Sequence, residues 1–158
     1  MSRALVAVAC LAALGACRTN EPSFQTVTFE NADRDRVFDV CQQVVATHFF
    51  GTTIRADKVA GRIDTDPIEE VIGGKTMREQ CYVQVSALAD GTIEVAVFAR
   101  LLRLEIAHGT ETPVRWVDAG EDLQVESILI DEISGRVLAL EIDARVLSTS
   151  LPREARPR

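Results

Sequence analysis

The sequence predicts a small α+β domain: helix, four-stranded antiparallel sheet, helix, in a helix-grip-like two-layer sandwich. Three patterns carry this. Apolar residues recur at helical spacing after Asn31-Ala32-Asp33, apolar and polar residues alternate strictly from Gln80 to Ala87, and a second helical stripe runs from Leu123 to Leu140. The chain has 158 residues, 47% hydrophobic and 26% charged, the make-up of one globular domain.

Each element follows in order. Asn31, Ala32 and Asp33 offer N-cap candidates, and Val37, Val40, Cys41, Val44, Val45 and His48 then define a helix over residues 33–49. Gly51 ends it. Residues 52–57 read as a strand, 58–61 as a tight connection, and 62–65 as a second strand that Pro67 stops and that is expected at the sheet edge. Gly73-Gly74 marks a loop. In residues 77–87, Cys81, Val83, Val85 and Ala87 alternate with Gln80, Tyr82, Gln84 and Ser86, a third strand with one buried face. Asp90-Gly91 is a hairpin signal, and residues 92–105 return as the fourth strand, apolar on both faces at Val95, Val97, Leu101 and Leu102. Residues 108–120 have no period and hold Gly109, Pro113 and Gly120, a connection with a short extended piece over 114–117 where Trp116 packs. Leu123, Ile130, Ile133, Val137 and Leu140 share one face of a helix over 121–143, with Glu121 and Asp122 placed well at its positive end. Gly135 inside it, worth about 1 kcal/mol against Ala, is a point where the helix could kink or end.

The two ends read differently. Residues 1–16 open with Arg3, continue through eleven apolar or small residues from Ala4 to Leu14, and finish in Gly15 and Ala16. That is a secretory signal, too short for the roughly 20 residues of a spanning helix. Its ending, Leu14-Gly15-Ala16-Cys17, resembles the lipobox of bacterial lipoproteins. The resemblance implies cleavage before Cys17, a diacylglycerol on its sulfur and usually an acylated amine, so that several chains give a permanent membrane anchor. Arg18, where an Asp would mark inner-membrane retention in that family, favours the outer membrane. The alternative is a plain secretory signal cut after Ala13 or Ala16. Cleavage removes Arg3 alone among charged residues, leaving 16 basic against 24 acidic, a charge of -8. Residues 17–30 read as anchor and linker, 31–145 as the domain, and 146–158, with two Pro and three Arg, as a disordered tail.

A second resemblance lies inside the domain. A helix leading into Phe49-Phe50-Gly51, a strand, an acidic turn and then Gly61-Arg62-Ile63-Asp64-Thr65 is similar to the repeated helix-grip domain of the accessory lipoprotein C of the outer-membrane β-barrel assembly machine. As motif it spans residues 36–66, and as element order 36–143. It implies the fold and not the activity.

Candidate chemistry is sparse. Cys41 on the helix stripe and Cys81 on the Val83/Val85 face both point inward, and an exported domain meets an oxidising compartment, so they are disulfide candidates. A bridge closing about 40 residues would be worth up to about 4 kcal/mol; the alternative is two buried thiols acting as small apolar groups. Gly73-Gly74-Lys75-Thr76 fails as a phosphate loop, because Glu69 stands where the first Gly belongs, Glu69-Glu70 make poor strand, and a strand rather than a helix follows. It reads as a polar hairpin loop. Asp64, Asp66, Glu69 and Glu70 lack the alternate spacing of a calcium loop, and His48 and His108 lie sixty positions apart without companions at zinc spacing. No Gly-x-Ser-x-Gly elbow, His-Glu-x-x-His helix or glycine-rich dinucleotide turn occurs in the sequence.

A formal charge of -7 lacks the footprint that binding to nucleic-acid phosphates requires. The expectation is therefore a non-catalytic lipoprotein, lipidated at Cys17, needing no metal or cofactor. It would face the periplasm and serve as an interaction module for an envelope protein through a sheet edge or the groove between sheet and helices. The rival expectation is an apolar ligand, such as a lipid, held between the second helix and the sheet.

Overall fold

Period-two alternation over two long strands organises the molecule. A computed structural model describes residues 23–106 and 114–150; the signal over 1–16, Cys17, His108 and residues 151–158 lie outside the described residues. Strands β5 (Lys75–Ala87) and β6 (Ile93–Glu105) form an antiparallel hairpin, in register from Ala87 opposite Ile93 to Met77 opposite Arg103. Its turn closes through Leu88 N–H donating to Thr92 O at 2.8 Å and Thr92 N–H donating to Asp90 Oδ1 at 2.9 Å.

Each long strand is flanked by two short ones in succession. Along β6 lie β1 (Gln25–Phe29), paired over Ile93 to Val97, and β7 (Arg115–Glu121), paired over Arg100 to Glu105. Along β5 lie β3 (Arg62–Thr65), paired over Tyr82 to Gln84, and β4 (Ile68–Ile72), paired over Lys75 to Glu79. Strand β2 (Ile54–Asp57) pairs with the free side of β3. Every pairing is antiparallel.

Helices α1 (Arg34–His48) and α2 (Leu123–Ser150) pack against the sheet. Asp33 caps α1, its Oδ1 accepting from Arg36 N–H at 2.9 Å; Asp122 caps α2, its Oδ1 accepting from Gln124 and Val125 N–H. Odd-numbered residues of the hairpin, Cys81, Val83, Val85, Val95 and Val97, meet Phe38, Cys41, Val44 and Val45 of α1 and Leu129 and Ile133 of α2 in one core, all essentially fully buried. Each large aliphatic side chain so placed contributes about 1.5–3 kcal/mol. The groove between helices and sheet, expected as a docking or lipid site, is filled at this level by those side chains.

The turn from β2 to β3 depends on Gly61. Its φ is +71°, and a Cβ there would stand 2.1 Å from Val85 O, because Val85 N–H donates to Gly61 O at 2.7 Å.

The α+β class and the sandwich of two helices against an antiparallel sheet stand, but among the described residues the sheet has seven strands, not four. β1 occupies part of the expected linker: Gln25, Thr26 and Thr28 make it look like linker, yet Val27 and Phe29 turn to the core. β4 forms despite Glu69-Glu70, whose side chains stay exposed. β7 is longer than the piece expected over 114–117, and it accommodates Gly120 at φ +103° beside a register shift at Leu101/Leu102. β3, expected at the edge, is interior, with β2 outside it. α2 passes through the exposed Gly135 and runs to Ser150, so residues 146–150, expected in the tail, are helical. Nothing lies within 4 Å of a Cβ at Gly135, so only local propensity opposes helix there.

Candidate binding site on the open face of the sheet

The same alternation that buries odd-numbered residues turns the even-numbered ones to the face away from the helices. Tyr82 of β5 stands directly opposite Phe98 of β6, and both are half-buried. Phe24, just before β1, adds a third ring. The Phe24 and Phe98 centroids are 5.4 Å apart and those of Phe98 and Tyr82 6.0 Å, so three aromatics run in a row across the sheet.

Arginine–carboxylate pairs border this row. On β3, Arg62 and Asp64 are two residues apart and share the open face; Nε donates to Oδ1 and a terminal nitrogen to Oδ2, both at 2.9 Å, a fork-to-fork pair. On the other side Arg100 of β6 donates to Asp118 of β7 at 3.1 Å. The Gly120 backbone N–H, donating to Asp118 Oδ1 at 3.0 Å, and then Arg100 hold that carboxyl below the usual range. Gln84 donates through Nε2 to Ala60 O at 2.9 Å, leaving its carbonyl oxygen free to accept. These groups line a one-sided cavity of about 850 Å³. Farther along the same face the Arg78 guanidinium lies 4.0 Å over the Trp116 ring and donates to Glu69 at 2.9 Å, so Trp116 does pack on the extended piece, against a cation.

Two side chains complete the opposite face at mid-hairpin. Cys81 and Ala99 are register partners, and at their level each edge passes from one short strand to the next, β3 to β4 and β1 to β7. Thr65 Oγ1 accepts from Cys81 N–H at 3.0 Å, and Glu126 Oε1 from Ala99 N–H at 2.9 Å, supplying the bonds the strands omit. Glu126 is 0% exposed, and burial raises its pKa. Nearby Glu79 is pushed up to about 7, by burial first and then by Asp122 and Glu70. Among the described residues Glu79 Oε1 and Glu126 Oε2 are buried without a hydrogen-bond partner.

The residues singled out from sequence fall as follows. Cys41 and Cys81 occupy the faces expected and share one core, where both stand as free thiols. Burial pushes Cys41 up to about 12 and raises Cys81 too, so both are packed as small apolar groups and neither is poised as a nucleophile. Gly73-Gly74 is the turn between β4 and β5, a hairpin loop as expected. Asp64, Asp66 and Glu69 are each engaged by an arginine, Arg62, Arg55 and Arg78 respectively. His48 lies on the exposed last turn of α1 with its ring 5.1 Å from that of Phe49, off the buried stripe. No cluster of three or more metal-ligating side chains forms among the described residues.

The aromatic row is what sequence reasoning missed. The signal was available: Tyr82 belongs to the outward set of the third strand, and a hairpin centred on Asp90 brings residue 98 opposite residue 82. Phe24, in a segment read as linker, carried no such signal.

No protein-family model and no curated protein matches the chain. Among solved structures it is similar to a TBP-like protein from Parabacteroides distasonis, at 9% identity and a TM-score of 0.39, over 82% of this chain and 93% of that one.

Proposed function

We propose that the chain is a non-catalytic lipoprotein of the bacterial cell envelope, anchored in the outer membrane through acylated Cys17 and facing the periplasm, where its open sheet face binds a partner in envelope assembly or maintenance. The observation that carries the binding role is the cavity of about 850 Å³ on that face, within the usual range for ligand sites, with an aromatic floor and fixed polar groups at its border. The anchor rests on Leu14-Gly15-Ala16-Cys17. Two features favour binding over catalysis: Asp64 is tied up by a bidentate arginine, and Asp118 is held ionised well below neutral pH, a poor state for proton transfer there. Phe24 lies seven residues beyond Cys17, so the anchor sits within about 25 Å of chain from the cavity, which therefore works close to the membrane.

The test is photo-crosslinking in cells from position 82, with position 42 on the exposed side of α1 as the control, in the natural chain and in Cys17→Ala. The expected result is a discrete adduct from position 82 only, together with loss of acylation and of membrane retention in Cys17→Ala. Adducts that form equally from position 42, or a Cys17→Ala chain that is still acylated, would overturn the reading.

A further inference from the structure

The chemistry of the cavity identifies a class of partner. Resting on the reading above that the open face is the binding surface, we infer that the cavity is a saccharide subsite, taking pyranose rings of an uncharged glycan across Phe24, Phe98 and Tyr82.

Two kinds of surface meet there. The aromatic row offers contiguous apolar ring surface, against which the C–H groups on the flat side of a pyranose pack. Beside it, Arg62–Asp64 and Arg100–Asp118 neutralise themselves in pairs. Neither pair leaves a free charge to capture an ion, but each retains unused donors and lone pairs in a fixed plane, because guanidinium carries five donors and carboxylate about four acceptor sites. Neighbouring hydroxyls of a sugar, each both donor and acceptor, match such paired groups, and the free carbonyl of Gln84 adds an acceptor.

Competing ligand classes fit less well. A lipid chain would cover the two ion pairs and Gln84 while giving them nothing to bond, at a cost of roughly 1–3 kcal/mol per unsatisfied group. A polyphosphate strand stacking its bases on the rings would meet a chain of formal charge -7. A sugar has an apolar face and a polar rim, and so does this cavity.

The experiment is calorimetric titration of the full lipoprotein, purified in a sugar-free detergent, with cellotetraose and with the tetramer of N-acetylglucosamine. Tyr82→Leu and Arg62→Gln are compared with the natural protein, and their melting curves report folding. The expected result is saturable binding of at least one tetramer, weakened tenfold or more in both folded variants. Binding that both variants leave unchanged would place the sugar elsewhere and overturn the inference. If neither tetramer binds at concentrations up to about 10 mM, a free energy weaker than about -3 kcal/mol, the inference falls too. Crosslinking from position 82 then separates the two readings: a discrete protein adduct there keeps the binding face and replaces the sugar by a protein segment, and no adduct removes both.

Discussion

Glu79 shows how one side chain can be paired in no direction. It sits on the helix side of β5 where α2 begins, opposite Leu101, with Glu70 of β4 and the Asp122 cap of α2 as charged neighbours. Its Oε1 is buried without a partner, and burial with two like charges raises its pKa from 4.5 to about 7. The folded state therefore holds a proton that the unfolded chain has released between those values, and stability falls as pH rises from about 4.5 through 7. Glu79→Gln should raise stability at pH 8 by about 1–2 kcal/mol, allowing for partial solvent screening. The gain should shrink towards zero below pH 4.5. Urea midpoints measured at pH 8 and pH 4 check this, and a gain of equal size at both would exclude ionisation as its cause. By contrast each residue of Gly61-Arg62-Ile63-Asp64-Thr65 has a defined role: Gly61 in the close approach to Val85, Ile63 in the core, Arg62 and Asp64 in the open-face pair, Thr65 as acceptor for the Cys81 N–H. The motif was legible in sequence, but these roles were not, since Gly61 and Thr65 act on Val85 and Cys81 of β5, twenty-four and sixteen residues away.

Among the elements, the long hairpin was readable and its short companions were not. β5 and β6 alternate for long enough to reveal their period, whereas β1, β4 and β7 are five to seven residues long, too short for a period of their own. Such strands exist because β5 and β6 offer them an edge, a tertiary cause that local composition does not carry. The changeover between short strands leaves one hydrogen-bond donor on each side of the hairpin to a side chain. Thr65→Val, nearly the same shape without the hydroxyl, should leave the buried Cys81 N–H unsatisfied and cost about 1–3 kcal/mol. Thr65→Ser, which keeps the acceptor, should recover most of that in a denaturant titration. Equal losses in the two variants would assign the role of Thr65 to its methyl group.

For the whole molecule, the two buried thiols report on the integrity of the core. In a chain with Cys10 and Cys17 replaced by serine, Cys41 and Cys81 should resist an aromatic disulfide reagent in the native state at pH 8 and react fully once guanidinium unfolds the domain. Rapid native reaction of either thiol would contradict a core in which both are 0% exposed. By itself the sequence determined the α+β class, the hairpin at Asp90-Gly91, both helices and the inward faces of Cys41 and Cys81, because each is written as a period, a cap or a turn within a few neighbouring residues. Only the tertiary structure decided that Cys41 and Cys81 stand as thiols, that the groove beneath the helices is full, and that Phe24, Phe98 and Tyr82 meet between two ion pairs on the opposite face. Those outcomes depend on how residues from β1, β3, β5, β6 and β7 come into register across the sheet, and such register is set by pairing over distances that local patterns do not span.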